Sequence, residues 1–143
     1  MSDALYNKDI LRLATSIPNL GRLAQPDASV ERRSLVCGSR ISVDVTLGSD
    51  GRIAAFGQDV KACALGQASA SLLGGQIIGA TVSELAIATE ALRQYLAMQR
   101  PDSGPWHGLS VFAPAIPHSA RHAAILLPFE AATEAAETAQ SRA

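Results

Sequence analysis

The stretch R40-I-S-V-D-V-T-L47 alternates strictly, with Ile41, Val43, Val45 and Leu47 on one side and Arg40, Ser42, Asp44 and Thr46 on the other. A period of two sends successive side chains to opposite faces, so the stretch predicts a strand with one apolar and one solvated face. G48-S-D-G51 follows as a hairpin turn signal, and R52-I-A-A-F-G-Q-D-V60 then suits a returning strand. With a further strand expected around Arg33 to Val36, the middle of the chain predicts a three-stranded antiparallel meander.

The flanks read as helices. Asp3 or Asn7 is placed to cap a first helix in which Leu5, Ile10, Leu11, Leu13, Ala14 and Ile17 recur at helical spacing, and Pro18 is expected to end it. Residues 19–28 hold turn-forming residues and read as a linker. Beyond Cys63 the period of two does not recur: Ala62 to Leu73 is small, apolar and rich in helix formers, and G74-G75 stops it. Thr81 with Glu84 three positions later is a capping-box pattern, predicting a helix through about Met98 that buries Val82, Leu85, Ala86, Ala88, Leu92, Tyr95 and Leu96. R100-P-D-S-G-P105 is a loop, and a last helix is expected from about Ser119 toward Thr138. Strands followed by helices predict an α+β fold, a three-stranded antiparallel sheet with helices packed on one face. At 143 residues the chain fits a single domain over 1–143, and a chain of that size buries about 70% of its unfolded surface without needing a staple.

Twelve basic residues oppose thirteen acidic ones, which removes the electrostatic argument for nucleic-acid binding. Arg32-Arg33 reads as a solvated strand edge. No window of about 18 apolar residues would cross a membrane, and the N-terminal sequence lacks a signal-peptide pattern, so a cytoplasmic protein is the simplest expectation. Phosphate-loop, nucleophile-elbow, zinc-protease and paired-cysteine motifs are missing. Asp44, Asp50 and Asp59 are expected on the solvent face or in turns, which leaves no acid-base pair. The remaining reactive groups are two cysteines and three histidines. Cys37 precedes Gly38 at a turn between strands, and Cys63 precedes a helix, whose free N–H groups and dipole favour an anion. Two thiolates meeting an imidazole would suit zinc or an iron-sulfur cluster, both of which take soft or borderline ligands; two buried, unreactive thiols are the alternative. His122 opens the last helix, with His118 just before it and His107 after Trp106 in a loop.

C37-G-S-R-I-S-V-D-V, the D50-G-R-I-A-A-F-G hairpin, A62-C-A-L-G-Q-A-S-A-S-L-L and A120-R-H-A-A-I-L-L-P-F-E-A131 follow one another in the order found in the U-type iron-sulfur cluster assembly scaffolds, IscU, SufU and the N-terminal domain of NifU. The chain resembles that family from about Leu5 to Ala136, and Cys63 to Leu73 is most similar to the SufU form. The resemblance implies ligand cysteines gathered at one end of the molecule. It also implies a cysteine desulfurase as sulfur donor, iron, a labile [2Fe-2S] cluster, and acceptor or carrier proteins. It carries Cys37 and Cys63 over as thiolate ligands or sulfur acceptors, and His122 as an auxiliary ligand. Two departures stand out. Ser39 occupies the position of the family's C-G-D aspartate, and Ala124 or Ala123 falls where a third cysteine is expected. Two thiolates and one imidazole leave a position open on a single metal ion and fall short of the four ligands a [2Fe-2S] cluster needs. The cluster is then weakly held, shared across a homodimer, or lost. The expected role is a non-enzymatic scaffold or carrier; the alternatives are a zinc-dependent sulfur acceptor and an interaction module without metal.

Overall fold

The alternating segment becomes the middle strand of a three-stranded antiparallel sheet in the computed structural model, which describes residues 5–35 and 38–143. Helix α1 (Lys8–Ala14) comes first, then strands β1 (Ala28–Arg33), β2 (Arg40–Leu47) and β3 (Ile53–Lys61), and helices α2 (Ala64–Gly74), α3 (Val82–Leu96) and α4 (His122–Ser141). A 3-10 segment, Leu109–Ala115, and a 3-10 turn, Ser119–Arg121, lead into α4. The sheet order is β1-β2-β3, with Val43 opposite both Val30 and Gln58.

Ile41, Val43 and Val45 are fully buried, in one cluster with Leu65, Leu73, Leu85, Leu92, Phe112 and Phe129. Helix α4 packs on β2 and β1 and is flanked by α2 and α3. Its buried Ala131, Ala132, Ala135 and Ala136 carry only methyl groups, so the helix can lie close to the sheet; few large rings are needed to fill the core. The caps form as the sequence predicts. Asn7 Oδ1 accepts from the Ile10 N–H at 3.0 Å. Thr81 Oγ1 accepts from the Glu84 N–H while Glu84 Oε1 accepts from the Thr81 N–H, at 3.0 and 2.8 Å. The α+β class therefore holds, and no helix among the described residues is long and apolar enough to cross a membrane.

Three boundaries differ from the sequence reading. The Asp3 cap lies outside the described residues, and α1 ends at Ala14, ahead of Pro18. Strand β1 starts at Ala28 and ends at Arg33, where the reading expected a strand to begin. Helix α4 starts at His122 because Ser119–Arg121 coils more tightly as a 3-10 turn.

The larger correction concerns the polar face of β2. Asp44 is not on a solvent face: it has no exposed surface. The residues read as a linker cross the sheet as a strap. Arg22 donates through Nε and Nη2 to the two Asp44 carboxylate oxygens at 2.7 and 2.9 Å. The Leu23 N–H and the Ser29 hydroxyl add bonds at 2.9 and 2.5 Å. A buried carboxylate is tolerable only when so supplied with donors. The strap's start is fastened by Gln58, also fully buried. Its backbone N–H donates to the Asn19 carbonyl at 3.0 Å and its carbonyl accepts from the Gly21 N–H at 2.8 Å. Its carboxamide nitrogen reaches the Pro18 and Ala70 carbonyls at 3.0 and 3.1 Å. Gly57 makes room for the strap, since a Cβ there would lie 2.5 Å from the Gly21 carbonyl oxygen.

The Arg22 hydrogen bonds hold the Asp44 carboxyl below its ordinary value of 3.8; burial pushes the other way, and the Ser29 and Leu23 donors add to the lowering. A carboxyl lowered by folding binds protons better in the unfolded chain, so its stabilisation is present at neutral pH and is lost as pH falls through and below about 4. Asp44→Asn should lower stability by about 1–3 kcal/mol in urea titrations at pH 7 and flatten the fall in stability measured between about pH 5 and pH 2. Gly57→Ala should also destabilise, by about 1–3 kcal/mol, because the added methyl meets backbone rather than a movable side chain.

Candidate functional site

Strand β3 runs out at Lys61, and Cys63 stands in extended conformation (φ −68°, ψ 172°) as the residue that opens α2. Its carbonyl accepts from the Gln67 N–H at 2.9 Å. Its side chain makes no capping bond, so the half-buried thiol is not spent on the helix. It faces an open depression of about 390 Å³ lined by Gly38, Ser39, Lys61, Ala62, Cys63 and Gln67. Among these lining residues there is one ammonium and no carboxylate.

Gly38 and Ser39 arrive from the β1–β2 connection. The Gly38 N–H donates to the Ser34 carbonyl, and the Ser34 N–H donates to the Ser39 carbonyl, both at 2.9 Å. Gly38 has φ +71°, a left-handed conformation that glycine adopts without penalty. Cys37 lies outside the described residues; its neighbour in the chain, Gly38, lines the depression together with Cys63.

His122 begins α4, half-buried, with Nε2 at 2.9 Å from the Ala115 carbonyl oxygen and 3.1 Å from that of Ile116. Carbonyl oxygens only accept, so Nε2 is the donor in both contacts, and Nδ1 is the ring nitrogen they leave unengaged. Metal-bound histidines are typically oriented in this way, one ring nitrogen donating to a carbonyl while the other is available. His122 is, however, not part of the depression's lining. Among the described residues no group of three His, Cys, Asp or Glu side chains is placed to hold a metal ion. His107 is held through its backbone, exchanging bonds of 2.9 Å with the Gln76 carboxamide. Trp106 meets Phe129 edge-on, ring centres 5.8 Å apart, anchoring its loop on the core.

The start of α4 lies against the start of α2. A Cβ on Gly66 would sit 2.8 Å from the Ala62 Cβ and 3.3 Å from the Ala124 carbonyl oxygen, and the buried Ser69 hydroxyl donates to the Ile125 carbonyl at 2.6 Å. Ala124 thus occupies packed space beside the first turn of α2, with 2% of its surface exposed. Lys61 and Gln67 are lining residues the sequence reading missed. Gln67 had a usable signal, since a residue four places after Cys63 shares its side of the helix. Lys61 had a weaker one, as the last residue of a strand leading to a cysteine.

The chain belongs to the NifU-like N-terminal domain family, whose model matches residues 5–110. Members of that family are scaffolds rather than enzymes. The N-terminal part of a nitrogen-fixing NifU-like protein from Brucella abortus is 38% identical, with 99% of each chain covered and a TM-score of 0.90. A proposed iron-sulfur cluster assembly scaffold protein for the SUF system from Fervidobacterium islandicum is 20% identical, with 95% of this chain and 99% of that one covered and a TM-score of 0.87. None of the curated proteins matches the sequence. The family match ends before His122 and Ala124.

His122 stabilises the apoprotein through its two carbonyl contacts. His122→Ala should therefore lower stability by about 1 kcal/mol in the presence of a chelator. Unchanged urea midpoints would show that the imidazole contributes nothing without metal.

Proposed function

We propose that this chain is a scaffold or carrier in iron-sulfur cluster assembly, taking sulfur and iron on Cys63 and Cys37 and passing the product to acceptor proteins. The observation that carries this reading is the Cys63 thiol, which opens into a depression beside the Gly38–Ser39 turn and is not used in capping α2. Family membership and the 38% identity to the Brucella protein support it, as does the scaffold role proposed for the Fervidobacterium protein, which has the same fold. A thiol kept free in this way suits a reducing, cytoplasmic setting.

Sulfur arrives by exchange with a cysteine desulfurase. The Cys63 thiolate attacks the outer sulfur of the desulfurase persulfide; a new S–S bond forms, the old one breaks, and the desulfurase cysteine leaves as a thiolate. The sulfur moved keeps its oxidation level, so the transfer itself needs no oxidant or reductant; its conversion to the sulfide of a cluster takes two electrons per sulfur, which a thiol reductant supplies by becoming a disulfide.

Iron is cargo rather than a resident group. Thiolates suit it, and His122, whose Nδ1 is left unengaged by its carbonyl contacts, is the auxiliary ligand in this reading. With Ser39 in place of an aspartate and Ala124 in place of a third cysteine, one copy holds too few ligands for a [2Fe-2S] cluster. The cluster is therefore labile, and a second copy or an acceptor completes its coordination. Zinc would accept the same thiolates, and metal analysis separates a zinc-dependent sulfur acceptor from a cluster scaffold.

Anaerobic incubation with iron, cysteine, a desulfurase and a thiol reductant should give visible charge-transfer absorption, bound iron and sulfide, and a loaded species that elutes as a dimer. Cys63→Ala and Cys37→Ala should each lose most of the bound iron. Retention of neither iron nor zinc by the parent, with both variants behaving like it, would dispose of the ligand assignment and leave an interaction module.

A further inference from the structure

The register of the sheet sets three cations in one row. Arg33 of β1 stands opposite Arg40 of β2, and Arg40 stands opposite Lys61 of β3. Residues directly opposite share a face with Cβ atoms about 5 Å apart, and like charges so placed repel. The repulsion is only partly relieved. Arg33 Nε reaches Glu31 Oε2 at 3.1 Å, whereas Arg40 and Lys61 make no salt bridge among the described residues. Asp59, two places from Lys61 on the same face, pairs with neither. Contrast the neighbouring charge on this face: Asp44, deeper along β2, is supplied with Arg22 and two further donors.

This row borders the depression, because Lys61 belongs to both. Leu35, just past β1, has 98% of its surface exposed, the most of any large apolar residue described. An exposed apolar side chain beside three cations, of which Arg33 holds Glu31 while Arg40 and Lys61 make no salt bridge among the described residues, has the make-up of an interface: an anchor to be buried within a charged rim. Three cations in a chain of net charge −1 are too few for a nucleic-acid footprint. They match a partner segment that carries carboxylates, which would cancel the cross-strand repulsion on docking.

We infer that Arg33, Arg40 and Lys61, with Leu35, form the docking surface for an acidic segment of the protein that delivers sulfur to Cys63. The inference rests on the function proposed above and names the chemistry of the desulfurase face that reaches the site. Attraction between opposite charges speeds encounter and makes it salt-dependent.

The test measures binding of the desulfurase to the full chain by interferometry at low and high salt. Arg40→Glu sets a carboxylate between Arg33 and Lys61, converting two repulsive cross-strand pairs into attractive ones. Its melting temperature should therefore rise while its affinity for the desulfurase at low salt falls about tenfold, mainly through slower association and with a weaker salt dependence. Arg40→Lys should bind like the parent, and Leu35→Ser should bind more weakly. Equal affinities for parent and Arg40→Glu would overturn the docking surface. So would an equal loss in Arg40→Lys, or competition by a short DNA duplex as strong as that by polyglutamate. A parent chain that does not bind the desulfurase overturns it too. Loading with iron and inorganic sulfide, desulfurase omitted, reads the proposed function separately: a parent that loads while Arg40→Glu binds undiminished refutes the docking surface alone.

Discussion

A carboxylate without exposed surface, Asp44, determines how the second face of this sheet is built. It sits in the middle strand, where an unpaired charge would be strongly unfavourable, so the chain must bring donors to it. Arg22, the Leu23 N–H and Ser29 do so, and in reaching Asp44 they draw residues 19–27 across the strands. Gln58 fixes the near end of the same crossing. The outcome is a sheet covered on one face by alanine-rich α4 and its neighbours, and on the other by a single polar strap. Helix α1 is tied in through the strap, because Gln58 holds Pro18 and Asn19 while the Asn19 carboxamide donates to the Gly74 carbonyl at 2.9 Å.

How much of this was legible in the sequence depends on the range of the interaction. The Thr81–Glu84 box and the Asn7 cap involve residues three apart, and both form as their local patterns predict. The alternation of residues 40–47 identified the buried face, with Ile41, Val43 and Val45 all inside. The same alternation misplaced Asp44. A period of two says that a face is polar, and does not distinguish water from a second polar layer that arrives from 22 residues away. The strap was invisible for a related reason: it has no regular secondary structure, and its bonds go to Asp44 and Gln58 rather than within itself. Leu109–Ala115 likewise carries Pro114 inside a 3-10 coil and shows neither helical nor strand period.

The candidate site was readable in part. That Cys63 would stand where a strand gives way to a helix followed from composition on its two sides, and it does. The departures from the family pattern were read from the sequence alone, as Ser39 at the aspartate position and Ala124 or Ala123 at that of the third cysteine. The surroundings of the thiol were less accessible to such reading. Ser39 and Lys61 meet at the depression because β2 and β3 are in a particular register, and that register follows from packing across the whole sheet. His122 shows the complementary case, a residue placed by family pattern whose ring is oriented by two carbonyls that no motif would name.

The strap also bears on where this domain can be divided. Composition draws a boundary just before Ala28, where irregular, turn-rich sequence yields to regular strands, and a shortened chain starting there would keep every strand and the three longer helices. It would also uncover a carboxylate and a carboxamide that now have no contact with water, along with the notch at Gly57 that the Gly21 carbonyl and Leu23 fill. Such a fragment would look whole in a list of its secondary structure while lacking one wall of its interior. Residues 19–27 are an outer layer of the fold, although they read as a linker.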